Sequence, residues 1–449
     1  MLKKFFSYKI FLKIVILFIF AVGFAGLLRH HYICEQSANT CKDGGKFKSL
    51  RIIASTIAEI PKTVKLMYQR GTINLNKIDD ISRHKDKKRF VQFIAKERDA
   101  LLVIPRYDPS LNYSVTDIID LKNFELIHTY RHDISAMNKK VTRKDLFPRI
   151  NIDSSSNRFR YFSPLILENG SLIADSTLSP LFKIDFCSNL EWLNEEEPFH
   201  HSKMLDHEGN MWVTGGGDLY QTSDYVKKYN IRGFWDNLIM KVNPETGKII
   251  YTKSIIEILI ENKIFPENYP ITTAKWGQLN PIHVNDVEPA LSDSQHWKKG
   301  DIFISIRNQN AIIHYRPTND RVINYIVGPF YEQHDVNIIS EKEISIFNNN
   351  NNYIDNKFSE IIVYNFETKQ FKKLFNDQLK KENFKTVTSG KSHLFEDGSL
   401  LVEEMMYGRI ILLNSNGEKE WEYINKDKNG NIGLLYWSRV IEDKLMVEK

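Results

Sequence analysis

The chain has only three cysteines in 449 residues. That is too few for a disulfide-built scaffold, in which bridges stand in for a core. Nor do three make a zinc signature, which takes four Cys or His ligands at set spacing. Long runs of one charge are missing too. The 61 Lys and Arg are interspersed with the 56 Asp and Glu. The densest basic run, His84-Lys-Asp-Lys-Lys-Arg89, is short and reads as a solvated surface segment. A net charge of +5 spread this thinly excludes the basic stripe of a nucleic-acid binder. One long apolar run is present and no second, which excludes a multi-span membrane protein. There is no repeated Trp-Gly docking motif and no calcium-type aspartate cluster, which argues against a quinone-cofactor dehydrogenase.

The apolar run lies at the N-terminus. Ile10 to Leu28 is apolar apart from Lys13 and approaches the ~20 residues that a bilayer needs. A cleaved signal peptide and an uncleaved anchor compete for it. Ala21, Gly23, Ala25 and Gly26 form no clear A-x-A cleavage site, and the length favours an anchor. Lys3, Lys4 and Lys9 put the N-terminus in the cytoplasm by the positive-inside rule. The expectation is a single-pass inner-membrane protein whose residues 30–449 lie in a periplasm-like space if the source is Gram-negative. There Cys34 and Cys41 could close a small disulfide loop. Cys187 is left single and is expected to be buried.

Residues 49–96 read as helical and linking, with helical periodicity in Leu50-Arg-Ile-Ile-Ala-Ser-Thr-Ile-Ala-Glu-Ile60. After residue 97 the texture changes to short strand-like runs between turns, and one unit keeps returning. Its second half is an apolar strand, a polar turn and another strand. Examples are Leu238-Ile-Met-Lys-Val-Asn-Pro-Glu-Thr-Gly-Lys-Ile-Ile250, Glu360-Ile-Ile-Val-Tyr-Asn-Phe-Glu-Thr-Lys-Gln-Phe371 and Arg409-Ile-Ile-Leu-Leu-Asn-Ser-Asn-Gly417. Its first half is also a hairpin, as in Met204-Leu-Asp-His-Glu-Gly-Asn-Met-Trp-Val213 and Leu394-Phe-Glu-Asp-Gly-Ser-Leu-Leu-Val402. Two hairpins make a four-stranded antiparallel sheet, and sheets repeated at this period are the sign of a β-propeller. Units fall near 97–130, 158–193, 199–254, 281–327, 333–374 and 388–424, with a closing strand expected in 432–441 and a partly helical insertion at 255–280. The predicted fold is therefore all-β: a six-bladed β-propeller over 97–449, preceded by an N-terminal transmembrane helix (1–30) and a short helical linker (31–96).

In a propeller, equivalent positions on successive blades converge at one end of the central channel. His200 or His201, His283 and His334 all precede the first hairpin of a unit. Arg307 ends a strand of the unit that carries His283, and its planar fork of donors suits an oxyanion. A single histidine in a β protein is usually a packing residue, and His128, His132, His207, His296, His314 and His393 read that way. Three at one repeat position suggest a site, although repeats also copy structural habits.

These residues carry a resemblance. HHSKMLDHEGN, HVNDVEP, IFISIRNQNAIIHY and QHDVNIISEKEISIF occur in that order over 199–347, and together they resemble the arylsulfate sulfotransferase family of six-bladed propellers. The resemblance implies sulfuryl transfer from an aryl sulfate donor to a phenolic acceptor without a nucleotide. It casts His334 of the Q-H-D motif as nucleophile and carrier of a sulfohistidine, and His283, Arg307 and one of His200 and His201 as its partners. No cofactor and no metal are expected; the charge pattern gives no nucleic-acid partner, the N-terminal helix gives a membrane contact, and a homodimer is allowed. Asp335 or a backbone carbonyl is the expected holder of the second His334 nitrogen. Tyr331, Tyr407, Trp297 and Trp437 are candidates to stack on an aryl ring, with packing between blades as each one's blander role. The chain departs from the family pattern at Ser202, at the Ser-Glu-Lys-Glu turn after His334 and at Asn348–Asn352. A non-catalytic propeller that binds a partner outside the membrane is the alternative.

Overall fold

The same short polar side chains turn the chain back at hairpin after hairpin. Asn243 Oδ1 accepts the backbone N–H of Glu245 and of Thr246, both at 3.0 Å. Asn365 does the same for Glu367 and Thr368 at 2.9 Å. Asp206 takes the N–H of Glu208 at 2.9 Å and of Asn210 at 3.0 Å. An oxygen that captures the N–H two residues on mimics a backbone turn. Gly247 completes one of these turns at φ +70°, and a Cβ there would lie 2.7 Å from the Trp192 ring. Between turns the central strands, such as Glu360–Asn365 and Arg409–Leu413, are apolar runs buried on both faces. They do not alternate, because neighbouring sheets cover both sides.

The computed structural model describes residues 8–36, 49–50, 53–54, 57–58 and 81–442, apart from 149, 217–234, 267–273, 276–277 and 352–357. The chain divides into two units, Met1–Leu75 and Asn76–Lys449. The second unit is all-β and propeller-like. Its first sheet holds Leu101–Asp108, Tyr113–Asp120 and Leu126–Tyr130, with the C-terminal strand Arg439–Ile441 added beside the first of them. The second sheet is seven-stranded, from Phe162–Ile166 to Ile249–Ser254. Its long strand Leu190–Leu205 pairs with Ser179–Ile184 at one end and with Met211–Gly215 at the other. The third sheet runs from Val284–Pro289 to Arg321–Val327, the fourth from Val336–Ser340 to Phe371–Leu374. The fifth runs from Ser392–Leu394 to Lys419–Ile424 and gains Phe90–Gln92 at its outer edge. Among the described residues all strand pairings are antiparallel, and strands occupy each stretch that the repeat singles out.

The apolar core lies between sheets. Ile239 of the second sheet meets Ile304 and Ile313 of the third. Phe303 and Ile312 meet Ile346 and Ile362 of the fourth. Phe347 and Ile361 meet Val402 and Ile411 of the fifth. Leu401, Ile410 and Leu412 meet Leu102 and Ile104 of the first, so the packing closes on itself. The helix Ile255–Glu261 fills the outer gap beside Trp212 and Tyr315 with Ile255, Ile258 and Leu259.

Several expectations change. The linker does not extend to residue 96, since Phe90–Gln92 is a strand. Cys187 is exposed, not buried, because it sits in the tight turn where the Ser188 N–H returns to the Asp185 carbonyl at 2.9 Å. The expected transmembrane span is not found: among the described residues no helix is long and apolar enough to cross a membrane. Residues 10–28 do fall in one helix, Tyr8–Gln36. The Cys34–Cys41 loop and most of Leu50–Ile60 lie outside the described residues.

The closing strand is anchored by a buried carboxylate. Glu403 accepts the backbone N–H of Trp437 at 2.9 Å and of Ser438 at 2.6 Å. Glu403→Ala leaves both donors buried without that acceptor, at ~1–3 kcal/mol each. We expect a loss of about 2–4 kcal/mol, measured as a lowered urea midpoint at unchanged m-value.

Candidate functional site

The site begins as a backbone habit. His201, His283, Ser389 and Trp437 all have left-handed φ values, at +65°, +51°, +58° and +70°. His283, Ser389 and Trp437 stand where the chain is about to enter the inner strand of a sheet. A non-glycine residue held this way costs on the order of 1–3 kcal/mol, so its neighbours must hold it. Asn280 Oδ1 accepts the His283 N–H at 2.9 Å, and the Asn280 amide meets His283 Nδ1 at 2.9 Å. Lys203 Nζ donates to the His201 carbonyl at 3.0 Å while paired with Asp175.

The result is a cluster of imidazoles. The His201 ring centre lies 5.8 Å from that of His283 and 6.2 Å from that of His334. Trp437 stands 5.8 Å from His201 and 6.1 Å from His334, and Phe162 5.4 Å from His201. His200 lies one step behind, its Nδ1 2.6 Å from His201 Nδ1. Of the two histidines that the sequence leaves open, His201 faces the others and His200 backs it.

His334 is fully buried and doubly held. Its Nδ1 faces two acceptors, Asn349 Oδ1 at 2.6 Å and the Glu332 carbonyl at 3.1 Å. That nitrogen therefore carries the proton. Nε2 is the lone-pair nitrogen and accepts the Ser389 N–H at 3.0 Å. Burial, and next the Arg307 charge, push its pKa down to about 3. Burial pushes His200 down to about 3 as well, and burial with the neighbouring histidines holds His201 well below its ordinary value. All three are neutral near pH 7.

Arg307 approaches from the strand end after Ile306, and its guanidinium pairs with the Glu332 carboxylate. Asn285, two residues past His283, donates to the Gln333 carbonyl at 2.8 Å. Gln333 in turn donates to the Ala311 carbonyl at 2.9 Å. The H-x-N, Ser-x-Arg and Q-H-D segments thus interlock through the backbone. Among the described residues no group of three or more His, Cys, Asp or Glu is placed to hold a metal ion.

Of the two expected holders of the second His334 nitrogen, the backbone carbonyl is found, that of Glu332, and the one beside it in the chain, Asp335, is not. Asp335 accepts from Ser392 N at 3.0 Å and Asn337 Nδ2 at 2.7 Å and pairs with Lys391. The residue that orients His334 is Asn349, hidden in the asparagine run that departs from the family pattern. Nothing in that run marks one asparagine over the next, and only the fold does. Glu332 and Ser389 were equally silent in the sequence. Of the aromatic candidates only Trp437 reaches the histidines. Trp297 packs on Phe303 and Phe366, Tyr407 lies under Arg83, and Tyr331 is exposed.

Two buried neutral histidines make stability pH-dependent. The folded pKa values of His200 and His334, about 3, lie below the ordinary 6.5. Between those values the unfolded chain binds protons that the folded chain refuses, so stability falls as pH drops below ~6.5. We expect the urea midpoint to fall from pH 6.5 to pH 4, and less steeply in His334→Asn.

The comparisons with known proteins complete this picture. No curated protein matches the chain. Among solved structures it resembles a protein of unknown function from Bacteroides caccae at 11% identity, covering 76% of this chain and 98% of that one with a TM-score of 0.46. It also resembles the Kuenenia stuttgartiensis hydrazine synthase at 10% identity, with 67% and 71% coverage and a TM-score of 0.38. A virginiamycin B lyase from Staphylococcus aureus follows at 11%, with 74% and 87% coverage and a TM-score of 0.37. Likeness of that degree carries no conclusion about this chain. The family model described as arylsulfotransferase (ASST) matches residues 169–426. That stretch is more than half of the chain and holds every histidine of the cluster and Arg307, so the chain belongs to the arylsulfotransferase family.

Proposed function

We propose that this protein moves a sulfuryl group from an aryl sulfate to a phenolic acceptor through a sulfohistidine on His334. The observation that carries the reading is the convergence of His201, His283 and His334 beside Arg307 and under Trp437. His334 is neutral and has its proton fixed on Nδ1, which leaves Nε2 as the nucleophile. Its lone pair attacks sulfur, the S–N bond forms, and the S–O bond to the aryl group breaks. The departing aryl oxide takes a proton from solvent, and His201 and His283 are the imidazoles near enough to relay it. In the second half an acceptor phenol gives its proton to the same pair. Its oxygen then attacks sulfur and the S–N bond breaks, which restores His334.

Attack requires Nε2 to release the Ser389 N–H. That N–H, freed, points at the new sulfuryl group and can donate to one of its oxygens. Arg307 stabilises the charge spread over those oxygens. The Phe162 and Trp437 rings supply an apolar wall for an aryl group. The same reading takes the propeller to have six blades, the seven-stranded sheet counting as two that share Leu190–Leu205. It also puts the protein at the inner membrane, on the extracytoplasmic side. The exposed Leu17, Phe18, Ile19 and Phe20 support that placement. The alternative, a non-catalytic binding platform, draws on the fact that His334 Nε2 and Arg307 Nη2 are both engaged by the protein itself.

A chromogenic aryl sulfate with excess phenol decides between them. We expect chromophore release by the wild type, and a fall of about 10³-fold or more in His334→Ala. Arg307→Lys, which keeps the charge and loses the fork, should cost ~10²-fold. Rapid quench and mass spectrometry should find the sulfuryl mass on the peptide with His334. Release undiminished in His334→Ala, or none from wild type, favours the platform.

A further inference from the structure

The Arg307 guanidinium, the natural seat for an oxyanion, already holds one: the Glu332 carboxylate. We propose that Glu332 is a specificity-determining gate on that seat, an internal anion that an incoming sulfate ester has to displace. The inference rests on the sulfotransferase reading for the identity of the ligand, but not for the existence of the gate.

The structural work of Glu332 is done by its backbone. Its N–H donates to Asn310 Oδ1 at 2.9 Å, and its carbonyl accepts from His334 Nδ1 at 3.1 Å. Those two bonds keep the residue at φ +54° and keep the nucleophile's proton in place. The side chain is bound separately, to Arg307 and to Asn351 Nδ2 at 3.1 Å. The pair is also partly exposed, at 12% for Arg307 and 18% for Glu332. The Lys391–Asp335 pair deeper in the fold is sealed, at 9% and 0%. A carboxylate with a separately held backbone and a partly wetted partner can leave without unfolding its surroundings.

Such a gate sets a threshold. A tethered carboxylate competes at high effective concentration with any free anion. Inorganic sulfate offers Arg307 little beyond charge, so it displaces Glu332 poorly. An aryl sulfate adds apolar burial against Phe162 and Trp437 and can meet the same cost. The site would then ignore the sulfate around it and still accept esters.

The test is calorimetric titration of the full-length protein with inorganic sulfate, wild type against Glu332→Gln. If the carboxylate occupies the seat in about nine molecules of ten, removing its charge tightens sulfate binding about tenfold. Glu332→Asp, one methylene short of Arg307, should gain in the same direction. The double variant Glu332→Gln with Arg307→Gln should lose the gain. Unchanged sulfate affinity in both single variants overturns the gate, as does a gain that persists without Arg307. If Glu332→Gln fails to fold, the aspartate variant alone decides. Turnover plays no part in the readout. A protein with the sulfate gain and no transferase activity would sink the catalytic reading and leave the gate standing.

Discussion

Everything about this fold depends on how the inner strand of each sheet gets its first hydrogen bonds. The backbone N–H groups at its start have no partner in their own sheet and are buried. Left alone, each would cost ~1–3 kcal/mol. The sheet before supplies the acceptor. Asn237 takes the N–H of Val284 at 3.0 Å, and Asp286 that of Val336 at 2.8 Å. Asp335 takes that of Ser392 at 3.0 Å, and Glu403 that of Ser438 at 2.6 Å. Each sheet therefore fixes where the next one begins. The residues just ahead of these points, among them His283, His334, Ser389 and Trp437, are positioned as a by-product. A cluster built this way is precise because it is assembled by the same bonds that close the ring.

Carboxylates do this job at a cost in charge. Asp286, Asp335 and Glu403 are all buried. Burial pushes Asp286 up to about 6 and Glu288 beside it up to about 8. Lys391 answers by pairing with Asp335 and lying near Asp286. Lys203 answers Asp175 in the same way and turns two more of its protons on the Phe162 and His201 carbonyls. The cations in the middle of the molecule are thus placed by the acceptors, and the acceptors by the strand ends. One of those cations, Lys203, in turn holds the His201 backbone.

This chain of dependence explains what could be read from the sequence. The hairpins were legible because each carries its own instructions: an Asn or Asp that captures an N–H two residues away, and an apolar run on either side. The closing strand at 439–441 was legible for the same reason. The convergence of His201, His283 and His334 followed from the repeat, since equal positions in equal units meet. What the sequence could not choose was between His200 and His201, because the two differ only by a left-handed backbone turn at 201. Of the two holders it offered for His334, a backbone carbonyl and Asp335, only the carbonyl, that of Glu332, is found, and Asn349 was missed. Asp335 is adjacent in the chain, yet its side chain is committed to the next sheet, and Asn349 reaches in from 15 residues away. Glu332 and Ser389 act largely through backbone groups, which no side-chain pattern reports.

The cluster's electrostatics then follow from its crowding. His201 faces His200, His283 and His334, and a proton on any of them disfavours a proton on the rest. At neutral pH the buried imidazoles therefore offer lone pairs and N–H dipoles but little charge. A cation that faces them is Arg307, and its charge is cancelled by Glu332. On the gate proposed above, an arriving anion would exchange one carboxylate for another negative group on the Arg307 fork, so the charge held on that fork would stay nearly constant through binding. Holding it constant keeps His334 unprotonated, and an unprotonated Nε2 is what a nucleophile at that position requires.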